Sequence, residues 1–211
     1  MSFPRLLHLF GSRGVPSFLF GFMAVNSAIR IGSADGASQV VYFLLSASLW
    51  AMFVVLVNVR PAPIRRGRSI VGVLAALVAQ FAFIGVGVLS QETTAGTRIL
   101  ISDGLLIAGM LVAVASVAFL GRCFGVLPDV RGLVTRGPYR LVRHPLYLGE
   151  LAASLGLVIG AREALPAAGV WLLCVGVQLI RTRYEEAGLR AEFPEYEDYA
   201  RGTKRLIPGL V

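Results

Sequence analysis

Six apolar runs, at 14–29, 39–59, 69–91, 104–121, 145–161 and 164–180, alternate with short hydrophilic segments along nearly the whole chain. A helix that crosses a bilayer needs about 20 apolar residues, with about 17 tolerated. The second and third runs meet that length easily, and the first, fifth and sixth reach it with flanking turns. Glycines and other small residues interrupt the runs, a pattern that packed membrane helices accommodate. Charged residues make up only 15% of the 211 residues against 56% hydrophobic, so the polar surface of a soluble domain is missing. The runs predict an all-α, polytopic membrane helix bundle of about six transmembrane helices.

The net charge of +8 would suggest nucleic acid in a soluble protein. Its placement gives another reading. Walking the hydrophilic segments in order, seventeen Lys and Arg residues fall in the first, third, fifth and last segments and three (Arg30, Arg98 and Arg162) in the others. Cytoplasmic segments of membrane proteins carry this excess. The expectation is a multi-pass integral membrane protein with N- and C-termini in the cytoplasm, contacting membrane lipids and no nucleic acid. The N-terminal segment MSFPRLLHLFGSRG lacks the long apolar core of a signal peptide and reads as an interfacial stretch. Two cysteines, Cys123 and Cys174, suggest no disulfide framework, and two histidines, His8 and His144, are too few for a multi-histidine metal centre.

The chain divides unevenly into an N-terminal four-helix membrane region, 1–121, and a C-terminal region, 122–211, expected to form one integrated domain with it. The prolines of RPAPIRRGR, 60–68, break a helix and its arginines anchor it at the interface. Asp103 reads as a helix-end residue. The fifth and sixth runs, joined by AREALP, form a hairpin. The sixth leaves the membrane near Ile180 and continues as a polar helix until Pro194.

The densest polar chemistry sits at one entry to the bilayer. In RLVRHPLYLGE, 140–150, Pro145 suits the first helical position. The unpaired N–H groups of that helix start, beside Arg140 and Arg143, suit an anion. The alternative is a juxtamembrane cluster that only sets topology. Gly149 and Tyr147 favour a site, by close backbone approach and by a donor or stacking face. Glu150 is costly at its depth unless paired, with Arg143 as one partner, or facing a wet cavity. On the last helix Gln178, Arg181 and Glu185 share a face, with an Arg181–Glu185 pair expected. Tyr196 and Tyr199, three apart, put both rings on one face.

These residues resemble the isoprenylcysteine carboxyl methyltransferases. Gly137-Pro138-Tyr139, then Arg143-His144-Pro145-Leu146-Tyr147-Leu148-Gly149, then Glu185-Glu186, Tyr196, Tyr199 and Pro208 follow that family's motif order, over roughly residues 119–211. The resemblance implies S-adenosyl-L-methionine bound at the cytoplasmic end of the last two membrane helices, under a cap formed by the tail. It implies Tyr139, Leu141, Val142, Arg143, His144, Pro145, Tyr147, Gly149, Tyr196 and Tyr199 as cofactor-binding residues and no metal. It implies Glu185, Glu186 and Arg181 as the catalytic group, facing either the cofactor or a lipophilic acceptor such as the carboxylate of an isoprenylcysteine. A carboxylate, with a reference pKa of about 3.5, is ionised at neutral pH and needs alignment rather than a base. A thiol or amine acceptor would need one, and Glu185 or Glu186 would serve. Two other readings share the motifs: an NADPH-dependent membrane sterol or steroid reductase, whose cofactor phosphates the paired acids would repel, and a non-catalytic scaffold with a headgroup patch.

Overall fold

The computed structural model describes residues 11–67, 69–89 and 97–207. Among them lie seven α-helices: α1 (Gly14–Ile31), α2 (Ala37–Val59), α3 (Ile70–Leu89), α4 (Thr97–Leu120), α5 (Pro145–Gly160), α6 (Ala164–Glu192) and α7 (Tyr196–Gly202). Single 3-10 turns occur at Gly121–Cys123 and Gly137–Arg140. No strand occurs among the described residues, only two isolated bridges, Arg65–Val130 and Val142–Lys204. His8 and Pro208 lie outside the described residues.

The helix ends follow from local chemistry. Arg60, at the end of α2, is pushed to ψ 143° by Pro61 behind it, since the residue before a proline avoids the helical region. Phe193 ends α6 before Pro194 in the same way. Pro145 opens α5 at its first position. Helix α4 starts at Thr97, several residues before the expected 104, because its first turns have partners on α5. Arg98 Nη2 donates to the Ile159 carbonyl at 2.9 Å and Ser102 Oγ to that of Gly156 at 2.7 Å.

Among the described residues, four helices are long and apolar enough to cross a membrane: Gly14–Ile31, Ala37–Val59, Arg98–Cys123 and Ala164–Glu192. This is what an integral membrane protein requires. The expectation of six such helices is met only in part, because α5 has just 16 residues and α3 counts only over Ile70–Ala79 among the described residues. At 1.5 Å per residue α5 is some 24 Å long, shorter than a hydrocarbon core of about 30 Å.

Two interfaces tie the N-terminal helices to the C-terminal ones. Helix α4 packs along α5 through small residues. A Cβ on Gly109 would lie 2.4 Å from the Ala153 nitrogen, and one on Gly149 2.7 Å from that of Ala113. The spacing of four on both helices is the small-residue pattern that lets membrane helices approach closely. Helix α3 packs on α6, where Gly72 faces the Tyr184 ring. A separate aromatic cluster joins α1, α2 and the connector, with Phe53 stacked on Phe124 at 4.5 Å.

The basic segments meet at one end of the bundle. Arg65 pairs with Glu192 at 3.1 Å, Arg60 Nη2 donates to the Gly11 carbonyl at 3.1 Å, and Val142 bridges Lys204. That end holds the site.

Candidate functional site

The connector, the start of α5 and the tail are stitched together first by backbone. The Arg143 N–H donates to the Lys204 carbonyl at 2.8 Å and the His144 N–H to that of Arg205 at 3.0 Å. At these two residues the N–H groups expected to cradle an anion are already taken by the tail. The tail therefore lies across the helix start, one extended residue after α7 ends.

Glu186 is the hub of that closure. It sits on α6 with no solvent exposure. Its Oε1 accepts from Arg143 Nε at 2.9 Å and Arg205 Nε at 3.1 Å, and its Oε2 from Arg205 Nη2 at 3.1 Å. Arg190, one turn further along, stands 3.6 Å from Oε2. Buried charges persist only when paired and hydrogen-bonded in this way. Arg143 Nη1 extends the network by donating to the carbonyls of Ala200 and Thr203. One carboxylate thus holds the α5 start, α6, α7 and the tail.

Glu185 faces elsewhere. Its Oε1 accepts from the Tyr147 hydroxyl at 2.6 Å and from Arg181 Nε at 2.9 Å. Arg181 also lies over the Tyr147 ring, 4.7 Å from its centroid, and donates to the Val126 carbonyl at 3.2 Å. The His144 ring is parallel to that of Tyr147, with centroids 5.4 Å apart. One His144 nitrogen is 3.2 Å from Glu186 and the other 3.7 Å from Glu185. The imidazole therefore stands between the two acids.

A cavity of about 100 Å³ opens here, lined by Tyr139, Arg143, His144, Tyr147, Glu185, Tyr196 and Tyr199 with the apolar Leu120, Leu133, Val134, Leu146 and Leu189. Tyr196 and Tyr199 meet edge to face at 5.9 Å. Burial pushes the Tyr199 phenol up to about 12, partly opposed by Arg143. It stays neutral and donates to the Tyr139 carbonyl at 2.7 Å. Burial, then the charge of Glu186, raises the Tyr196 phenol too. That hydroxyl is buried and has no hydrogen-bond partner among the described residues.

Most residues named from the sequence converge. Tyr139, Arg143, His144, Tyr147, Glu185, Tyr196 and Tyr199 line the cavity, and Arg181 and Glu186 support it from α6. Four do not reach it. Leu141 points outward at 71% exposure. Val142 pairs with Lys204, Pro145 starts α5, and Gly149 faces α4. Glu150 bonds Gln178 at 2.9 Å, not Arg143, which is committed to Glu186. Sequence reasoning missed Arg190 as a partner of Glu186, although their spacing of four is a legible signal. It also missed the tail carbonyls, which carry no side-chain signal. No group of three or more His, Cys, Asp or Glu residues placed to hold a metal occurs among the described residues.

Residues 97–195 match the phospholipid methyltransferase family. The cobalt-zinc-cadmium resistance protein CzcN of Cupriavidus metallidurans is 40% identical over 119 residues, 52% of this chain and 52% of that one. The nickel-cobalt-cadmium resistance protein NccN of Alcaligenes xylosoxydans xylosoxydans is 37% identical over 117 residues, 52% of this chain and 53% of its own. Protein-S-isoprenylcysteine O-methyltransferase A of Arabidopsis thaliana is 31% identical over 110 residues, 49% and 56% respectively. The chain spans about half the length of these curated relatives. The resemblance to isoprenylcysteine methyltransferases read from the motifs is borne out, and the matched stretch contains α4, α5, α6 and both glutamates.

Proposed function

We propose that this chain is a membrane methyltransferase that uses S-adenosyl-L-methionine and modifies a lipophilic acceptor, most simply a carboxylate of the isoprenylcysteine kind. The observation that carries the reading is His144 set between Glu185 and Glu186 on one cavity with four tyrosines. The orientation that goes with it has six membrane crossings, α5 tilting little and drawing on its flanks, with both termini in the cytoplasm.

The donor set fits the cofactor. Tyrosine faces suit a nucleoside, the Tyr196 hydroxyl, without a partner among the described residues, offers a buried hydrogen bond, and Glu185 offers a carboxylate near a cationic centre. The cavity of about 100 Å³ is smaller than the roughly 300 Å³ at which ligand pockets begin. Entry therefore requires the tail, held by Arg143 and Arg205 on Glu186, to lift and reclose.

Bound, the cofactor supplies an electrophilic methyl group with a neutral thioether as leaving group. The chain's own tasks are to orient and to dry the site. Arg143 and the tail close it against water, which strengthens every polar contact inside. Tyr147 and Arg181 fix the rotamer of Glu185. With a carboxylate acceptor no residue here has to take a proton. With an amine or thiol acceptor Glu185, on the cavity wall, is the base, because Glu186 is fully engaged.

The test uses purified protein in detergent, melted with S-adenosylhomocysteine, with NADPH, or alone. A ligand at a hundredfold its Kd stabilises the folded state by about 2.7 kcal/mol. Stabilisation by S-adenosylhomocysteine is expected. Stabilisation by NADPH alone would make the site a reductase's, and by neither a scaffold's. Radiolabelled methyl incorporation into isoprenylcysteine analogues against membrane lipid extracts then identifies the acceptor.

A further inference from the structure

A second cleft, of about 640 Å³, lies on a different face of α6 from the cavity just described. Tyr184, Ala187 and Gly188 line it, whereas Glu185 and Leu189 line the other. At 100° per residue the two sets centre about 125° apart, on different faces of the helix. The connector runs between the two, with Val130 on one side and Gly132 and Leu133 on the other.

The cleft is built rather than incidental. Its far wall is the turn 63–67, which the sequence marked only as a membrane anchor. That turn is fastened to the connector: the Ile64 N–H donates to the Val130 carbonyl at 2.8 Å, and the Val130 N–H to that of Arg65 at 2.9 Å. The Gly67 N–H donates to Asp129 at 3.1 Å. Gly67 approaches so closely that a Cβ there would lie 2.6 Å from the Pro128 carbonyl oxygen. Arg65 and Arg66 are therefore presented from a fixed ledge.

Both arginines are available. Arg66 is exposed and has no hydrogen-bond or ion-pair partner among the described residues. Arg65 pairs with Glu192, yet its side chain is 54% exposed, which leaves donors over. Among the described residues no acid lines the cleft. Two exposed apolar stripes lead from it along the bundle: Val71, Leu74 and Val78 on α3, and Leu173, Ile180 and Tyr184 on α6. Each repeats at helical spacing and so lies on one face.

From this combination we propose that the cleft binds the phosphate headgroup of an anionic membrane lipid. The acyl chains would lie along the two stripes, and the site would be distinct from the methyl-transfer cavity. Soluble phosphate would satisfy the arginines but leave the apolar stripes unused. Basic residues at the cytoplasmic surface recognise such headgroups through charge and through hydrogen bonds to phosphate oxygens. The inference stands whether or not the first cavity transfers methyl groups.

The protein reconstituted in bilayer discs of phosphatidylcholine and phosphatidylglycerol in equal parts, and in discs of phosphatidylcholine alone, is released and its retained lipid counted by native mass spectrometry. Wild type is expected to retain phosphatidylglycerol over phosphatidylcholine. Arg66→Ala is expected to bind it roughly fivefold more weakly, the effect of one basic residue at an anionic surface. Ala187→Glu, which sets a negative charge on an exposed wall position, is expected to lose it further. Both variants should melt as wild type does, and Arg136→Ala, an exposed arginine outside the cleft, should retain lipid normally. Equal retention in wild type, Arg66→Ala and Ala187→Glu would overturn the site. Displacement of the lipid by inorganic phosphate, or retention of phosphatidylcholine just as strong, would overturn its identity as an anionic-lipid site.

Discussion

Arg143 and Glu186, 43 residues apart in sequence, are joined at 2.9 Å with the carboxylate wholly out of solvent. Arg205 and Arg190 share the same carboxylate. Glu186→Gln would therefore leave the Arg143 and Arg205 guanidinium groups facing each other without their counter-charge, while Arg190 stays paired with Glu197 at 2.7 Å. Removing one partner of a buried pair costs about 3–5 kcal/mol. The lower end applies here, because Arg190 and Arg205 keep access to water at 40% and 24% side-chain exposure. A fall in melting point in detergent and faster proteolysis of the tail are expected. A wild-type melt would mean that the tail is held by other contacts.

Glu185→Gln separates the two acids. The amide still accepts from Tyr147 and Arg181, and the side chain is partly open to the cavity. Because Glu185 is also the ion partner of Arg181, whose side chain is only 6% exposed, the stability change should reach about 1.5–3 kcal/mol, that of a hydrogen bond to a charged group. Methyl transfer should fall by about 10²-fold or more if Glu185 is a base and much less if the acceptor is a carboxylate. Comparing transfer to a carboxylate and to an amine acceptor in this one variant decides between the chemistries.

The glycine seam offers a paired stability test. Gly109→Ala would push a methyl group to within 2.4 Å of the α5 backbone, whereas a Cβ on Gly21 of α1 meets nothing within 4 Å. Overpacking at the first should cost about 1–3 kcal/mol. Gly21→Ala should instead stabilise by about 0.5–1 kcal/mol through reduced chain freedom. Equal melts for the two variants would refute the close α4–α5 approach.

Much of this was legible in the sequence because local chemistry dictated it. Apolar runs marked the helices to within a few residues at most ends, Pro145 marked the start of α5, and the spacing of Arg181 and Glu185 foretold their pair. Three things were not legible. Gly149 looked like a ligand-side glycine, yet its role depends on Gly109 and Ala113, which lie on another helix. The two adjacent glutamates read as equivalent. On a helix, however, neighbours differ by 100°, so one faces the cavity and the other the arginines. The tail's hold on residues 142–144 rests on backbone carbonyls, which any residue type supplies. Pairing between segments that far apart leaves no periodicity to read.

Tyr199 gives the tail a pH signature. Its phenol has a reference pKa near 10 in an unfolded chain and is pushed up to about 12 in the folded one, mainly by burial. For a group whose folded pKa is raised, the protonated form is favoured by folding. The stabilisation is then complete below about pH 10 and is lost as the pH climbs towards about 12. Over that window the phenolate would no longer donate to the Tyr139 carbonyl. Tyr199→Phe removes the titration and the hydrogen bond together. The variant should be less stable than wild type at neutral pH, and the gap should narrow across the alkaline window. Melting curves of both proteins at stepped alkaline pH check this. A gap that stays constant would show that the Tyr199 phenol is not shielded by the fold.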